Sequence, residues 1–266
     1  LYVSITIHFK VVENAGLMKE SMYLKFQNKD LKGYLEARRF AKVLSKEIIS
    51  NIEIGMSEKD IEDVAFKVFR DHDVKKHWHM PVIGVGEGSA KLSSLYALTS
   101  GFLTRHKRIL KEDDFILIDI APIYMTYPGD YTTNHVFGSN PELEALVTYA
   151  RDISRKIAEH ANNTMMVADV FLYAQELIRT TSDYRLLYPP LISMGHRLFR
   201  IHPLERYPET GLSYLILKKF PFIDPSNLTL MNGLWIVEPY LMHKNRAAKF
   251  EELVFVGRKS VILDND

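Results

Sequence analysis

Apolar residues recur at helical spacing through GYLEARRFAKVLSKEIISN at 33–51, with Leu35, Phe40, Val43, Leu44 and Ile48 forming the stripe. A second helix follows at EKDIEDVAFKVFRDH. Ser57 caps it, Asp60 three residues on completes a capping box, and Ile61, Val64, Ala65 and Val68 make its buried side. The texture changes after Pro81. VIGVGEG at 82–88 reads as a Gly-rich turn or bulge rather than a phosphate loop, and 115–137 reads as two strands, FILIDIAPIY and GDYTTNHVF. Pro141 opens a third helix near its first turn, and a fourth spans 167–179. Residues 191–202, 234–243 and 248–256 then read as strands. The order is helix, helix, strands, and the same again. MSEKDIEDVAFKVFRDH and MMVADVFLYAQELIRTT share a pattern. The expected fold is therefore α+β, built from two related halves that each lay paired helices over a sheet.

Composition narrows the function classes. The 266 residues are 47% apolar and carry a formal net charge of +1. That apolar content excludes disorder, and the near-neutral balance argues against a nucleic-acid partner. No apolar run reaches the roughly 18 residues needed to span a bilayer, so no membrane partner is expected. There are no cysteines, so any metal must be held by His, Asp and Glu. Residues 1–32 are set apart as an N-terminal extension whose LYVSITIHFK is too polar for a signal peptide, and 33–266 as a single domain; a cytoplasmic location is expected on that basis. RHKR at 105–108 and KEDD at 111–114 read as a solvated loop at a strand entry.

Acidic residues stand inside apolar strand text: Asp119 in FILIDIAP, Asp130 in GDYTTNHVF, Glu238 in LWIVEPYL, and Glu251 and Glu252 in AKFEELVFV. Strand interiors disfavour aspartate, and a buried carboxylate is costly unless paired, protonated or metal-bound. If Asp119 faces Asp130, the first hairpin reverses at Tyr124–Met125; if Glu238 faces Glu251, the second reverses at Lys244–Asn245, inside the polar stretch HKNR. Two facing carboxylate pairs call for cations between them, and a pair of divalent ions fits that need. His196, in SMGHRLFRIHP, adds a nitrogen donor, and one histidine with four carboxylates suits Mn, Co, Zn or Fe.

Asp119, Asp130, the GH at His196, the EP at Glu238 and the EEL at Glu251, in that order, resemble the pita-bread metallopeptidase superfamily of methionine aminopeptidases, Xaa-Pro aminopeptidases, prolidases and creatinase. The resemblance covers roughly residues 33–257. More narrowly, KHWHMPVIGVGEGS and FEELVFVG look like short, single-domain Xaa-Pro aminopeptidase-like proteins. It implies a pita-bread fold of two pseudo-symmetric halves and two divalent ions on Asp119, Asp130, His196, Glu238 and Glu251, with Glu238 also shuttling a proton to the leaving amine. It implies a hydrolase of amide bonds acting on a peptide or small amide, with a homodimer as a further partner. The alternatives are a creatinase-like hydrolase of a small C–N substrate and a non-catalytic binding protein with a degenerate site. The chain departs from the superfamily in three places. Position 203, where a second catalytic histidine is usual, is Pro, and His202, one residue early, is the candidate for that catalytic role, with a bulge needed to turn it to the site. Gly101 and Phe102 stand where a substrate-binding histidine is usual, which leaves His77, His79 and His106 as candidates. Arg197, Phe199 and Arg200 crowd a normally Gly-rich stretch.

Overall fold

The computed structural model describes residues 19–91, 108–180, 183–187, 194–198 and 222–263, the side chains of 19–30 excepted. The first helix, α1 (Lys19–Ser50), begins inside the segment set aside as an extension. Ala41, Leu44 and Ile48 are buried on it, whereas Val43 is half exposed. The buried stripe therefore runs through Ala37, Ala41 and Leu44, and Val43 falls outside it. Helix α2 (Glu58–Asp71) carries the expected capping box. The amide of Ser57 donates to Asp60 Oδ2 at 2.8 Å, and the amide of Asp60 donates back to Ser57 Oγ at 3.2 Å.

Strand β1 (Val82–Val85) leads into a short 3-10 helix. Strands β2 (Phe115–Ile120) and β5 (Tyr131–Val136) flank the small ladder of β3 (Ile123–Tyr124) and β4 (Tyr127–Pro128). Together β1, β2 and β5 form the first sheet, antiparallel in that order. Helices α3 (Pro141–His160) and α4 (Val167–Arg179) then open the second half. It continues through β6 (Arg185–Leu186), β7 (Gly195–Arg197), β8 (Gly233–Val237), β9 (Tyr240–His243), β10 (Arg246–Lys249), β11 (Glu252–Val256) and β12 (Ser260–Ile262). Its main sheet runs β12-β11-β8-β7.

The halves repeat one another in detail. Asp169 accepts from the amide of Met166 at 2.8 Å, the same back-reach that Asp60 makes to Ser57. Both caps also form an isolated antiparallel bridge to the chain entering a sheet, Ser57 with Ile109 and Met166 with Leu230. The core of the second half gathers Leu146, Ile153, Val170, Phe171 and Trp235, and that of the first gathers Leu44, Ile61, Phe69, Ile83 and Ile118. The Arg108 end of the RHKR–KEDD loop is not solvated. Arg108 forks onto the buried carboxylate of Glu58, which also accepts the amide of Val85. Residues 105–107 lie outside the described ones.

Candidate metal centre

The carboxylates arrive on the two hairpins. In the first, Asp119 pairs with Thr132 and Ile120 with Tyr131, and the ladder continues through Tyr124–Tyr127. The reversal is therefore at Met125–Thr126, two positions of pairing away from the register that sets Asp119 against Asp130. Met125 supplies the left-handed turn residue at φ 58°. Asp130 ends up diagonal to Asp119 on the same face, one pleat along. In the second hairpin Tyr240 pairs with Lys249 and His243 with Arg246, so the turn is at Lys244–Asn245; the outer ladder keeps that register with Val237 opposite Glu252. Glu238 and Glu251 stand at the breaks between the strands of each arm.

Two glycines let the backbone come together here. A Cβ on Gly129 would lie 2.2 Å from the carbonyl oxygen of Ala37, so glycine allows α1 to press against the residue before Asp130. Gly195, at φ 146°, would set a Cβ 2.1 Å from the carbonyl oxygen of Ile236, and it delivers the adjacent His196 to the site.

The structure brings Asp119, Asp130, His196, Glu238 and Glu251 into one buried cluster. His196 Nε2 lies 2.9 Å from Asp130 Oδ2 and 3.7 Å from Glu238 Oε1, and its ring packs T-shaped with Trp78 at 4.5 Å between centroids. His79 joins them: its Nε2 is 3.5 Å from both Asp119 Oδ1 and Asp130 Oδ1. His77, the other substrate-binding candidate, does not. It packs on Phe66 and Phe69, because the chain bends at Trp78–His79 and breaks the alternation that sets both histidines on one face. His106 and His202 lie outside the described residues.

Two buried cations complete the cluster, and the sequence reading missed both. Lys249 Nζ lies 2.7 Å from Asp119 Oδ2, 2.5 Å from Glu238 Oε2 and 2.9 Å from Glu251 Oε1. Arg38 of α1 donates to the carbonyl oxygens of Asp130 and Glu251, at 2.5 Å each, and stands 3.4 Å from Glu251 Oε2. Strand parity signals Lys249, which shares a face with Glu251 two residues on. Helical spacing signals Arg38, which sits with Tyr34 and Ala41 on the buried side of α1. Thr132 Oγ1 donates to Glu251 Oε1 at 2.5 Å.

Burial pushes the Glu238 carboxyl up despite the lysine beside it, and Glu251 likewise to about 7. Burial opposes charge on Lys249 too, but Asp119, Glu238 and Glu251 outweigh it and hold the ammonium well above its ordinary value. The same contest raises His79 to about 9, through Asp119 and Asp130. Burial works against the ionised Asp130, yet its bonds from His196 and His79 hold it below the usual carboxylate range. A histidine raised from 6.5 to about 9 stabilises the metal-free fold fully below pH 6.5, and that contribution is lost as pH rises through 9. Chelator-treated protein should therefore lose on the order of 2–3 kcal/mol between pH 6 and pH 9.5 in urea titrations. An ion taken up at His79 in place of its proton should flatten that slope, which the same titration in saturating Mn(II) checks.

The donors suit a divalent ion. One group is His79, Asp119 and Asp130, and a second is Asp119, Glu238 and Glu251. Asp119 Oδ1 is buried without a hydrogen-bond partner and faces His79, which is the kind of acceptor an ion satisfies.

The sequence profile of metallopeptidase family M24 matches residues 32–258. The chain belongs to metallopeptidase family M24. Among solved structures, this M24 chain is similar to the X-Pro aminopeptidase of Thermotoga maritima, at 17% identity and a TM-score of 0.67 over 90% of this chain and 62% of that one. It is similar to the prolidase of Pyrococcus furiosus, at 19% identity and a TM-score of 0.66 over 90% of this chain and 64% of that one. Methionine aminopeptidase of Thermotoga maritima matches at 17% identity and a TM-score of 0.60, over 90% of this chain and 97% of that one. These likenesses establish the pita-bread fold. The chain spans about three fifths of the length of the X-Pro aminopeptidase and prolidase structures. No curated protein matches the sequence. Among the described residues, no helix of this M24 protein is long and apolar enough to cross a membrane.

Proposed function

We propose that this chain is a metal-dependent hydrolase of amide bonds that removes the N-terminal residue from Xaa-Pro peptides. The observation that carries the reading is the buried Asp119 Oδ1, which accepts no hydrogen bond and faces His79 beside Asp130 in an M24 chain. The Xaa-Pro preference rests on the similarity to the X-Pro aminopeptidase and prolidase structures.

His79, Asp119 and Asp130 would hold the ion, and Asp130 fixes His196 through its other oxygen. When bound, a divalent ion supplies Lewis acidity, polarising a carbonyl and acidifying water. Glu238, held protonatable by burial and 3.7 Å from His196, is placed to deliver a proton to the leaving amine. Arg38 and Lys249 keep the carboxylates from repelling one another while the substrate binds.

The test is release of the N-terminal residue from an Ala-Pro-Ala tripeptide by protein loaded with Mn(II) or Co(II). The expected result is turnover that EDTA abolishes and added Mn(II) restores. Ion-loaded protein that cleaves neither this peptide nor its Ala-Ala-Ala counterpart would discard the peptidase in favour of a binding protein.

A further inference from the structure

We infer that Lys249 is a resident cation standing where a second divalent ion would bind, so that the site takes one exchangeable ion rather than two. The inference rests on the reading of this cluster as a metal centre. Of the two donor groups, the second comprises Asp119, Glu238 and Glu251. The Lys249 ammonium lies within 2.5–2.9 Å of an oxygen of each of those three residues. Two of these contacts are hydrogen bonds, to Asp119 Oδ2 and Glu238 Oε2, and the third is an ion pair with Glu251. Asp119 divides its oxygens between the two groups: Oδ2 meets Lys249, while Oδ1 faces His79 without a hydrogen-bond partner.

Lys249 is held in this position from both ends. It lies in β10 opposite Tyr240, whose ring centroid is 5.3 Å from Nζ, and its carbonyl oxygen accepts from Asn134 Nδ2 at 2.6 Å. Its side chain is 3% exposed, so water offers the ammonium no other resting place.

Charge counting leads to the same number. With every carboxyl ionised, as ligation requires, Asp119, Asp130, Glu238 and Glu251 bring four negative charges into the buried cluster, and Lys249 and Arg38 bring two positive ones. Histidines that ligate are neutral. One divalent ion closes the balance. A second would leave two uncompensated positive charges out of water, which costs several kcal/mol per charge.

The test is the count of bound Mn(II) per chain, by elemental analysis after equilibrium dialysis and by calorimetric titration. The wild type and the K249M and K249R variants are compared, with circular dichroism as the folding control. The expected counts are one for the wild type, two for K249M and one for K249R. Two ions in the wild type would overturn the inference and leave the metal-centre reading standing. One ion in both the wild type and a folded K249M would also overturn it, because the lysine would then not be what excludes the second ion. No ion in any of the three would overturn the metal-centre reading itself. If K249M does not fold, the wild-type count decides alone.

Discussion

Asp130→Asn is expected to abolish Mn(II) binding and to lower Xaa-Pro hydrolysis by about 10³-fold or more, with the fold intact. Asp130 meets both histidines of the cluster, His79 through Oδ1 and His196 through Oδ2. Asparagine keeps the shape but not the charge, and its amide nitrogen would face one of those two rings. Losing the ion removes several kcal/mol of charge stabilisation from the reaction, which is the quoted rate factor. The backbone contact to Arg38 uses the carbonyl oxygen of residue 130, so it survives the substitution. Calorimetric titration with Mn(II) and initial rates on the tripeptide check both halves of the expectation. A D130N protein that binds Mn(II) like the wild type would remove Asp130 from the donor set.

The second large effect is on stability. Arg38→Leu should lower the unfolding free energy by about 3–5 kcal/mol, the cost of removing one partner from a buried charged network. The guanidinium joins the carbonyl of residue 130, in the first half, to the carbonyl of residue 251, in the second. Leucine leaves both acceptors buried and leaves Glu251 facing one cation fewer. Arg38→Lys should recover only part of the loss, because an ammonium cannot reproduce the planar fork that reaches two carbonyls at once. Urea titrations of the three proteins at pH 7 measure the differences. A drop of less than about 1 kcal/mol in R38L would mean that the halves are held by their packed cores alone.

How far the sequence could be read depended on what each segment does locally. The end points of α4 are legible at 167 and 179, since its apolar period is undisturbed and Thr180 ends it. The second hairpin is legible in register, because HKNR offers one polar site for the turn and Lys244 takes a left-handed φ of 51° there. The first hairpin is not. Its turn falls on Met125–Thr126, between two tyrosines, with neither glycine nor asparagine to mark it, and Pro122 and Pro128 interrupt the alternation around it. The carboxylates stand out because acids in apolar strands need a reason. Lys249 and Arg38 do not, because a lysine in a strand and an arginine in a helix ordinarily reach water. Whether such a side chain turns inward is decided by partners more than a hundred residues away, such as Asp119 for Lys249.

The paired caps and repeated sheet order describe a duplicated architecture, but the two halves bring different groups to the cluster. His79, Asp119 and Asp130 all come from the first half, whereas Lys249 arises in the second half with Glu238 and Glu251. On the proposed reading the first group would take its cation from the surroundings, whereas Lys249 is a cation built into the chain. A tethered cation cannot be chelated, diluted or exchanged for a competing metal. Depletion of metal would then leave Lys249 among Asp119, Glu238 and Glu251, so that on this reading the carboxylates of the centre would stay paired and in place until an ion returned.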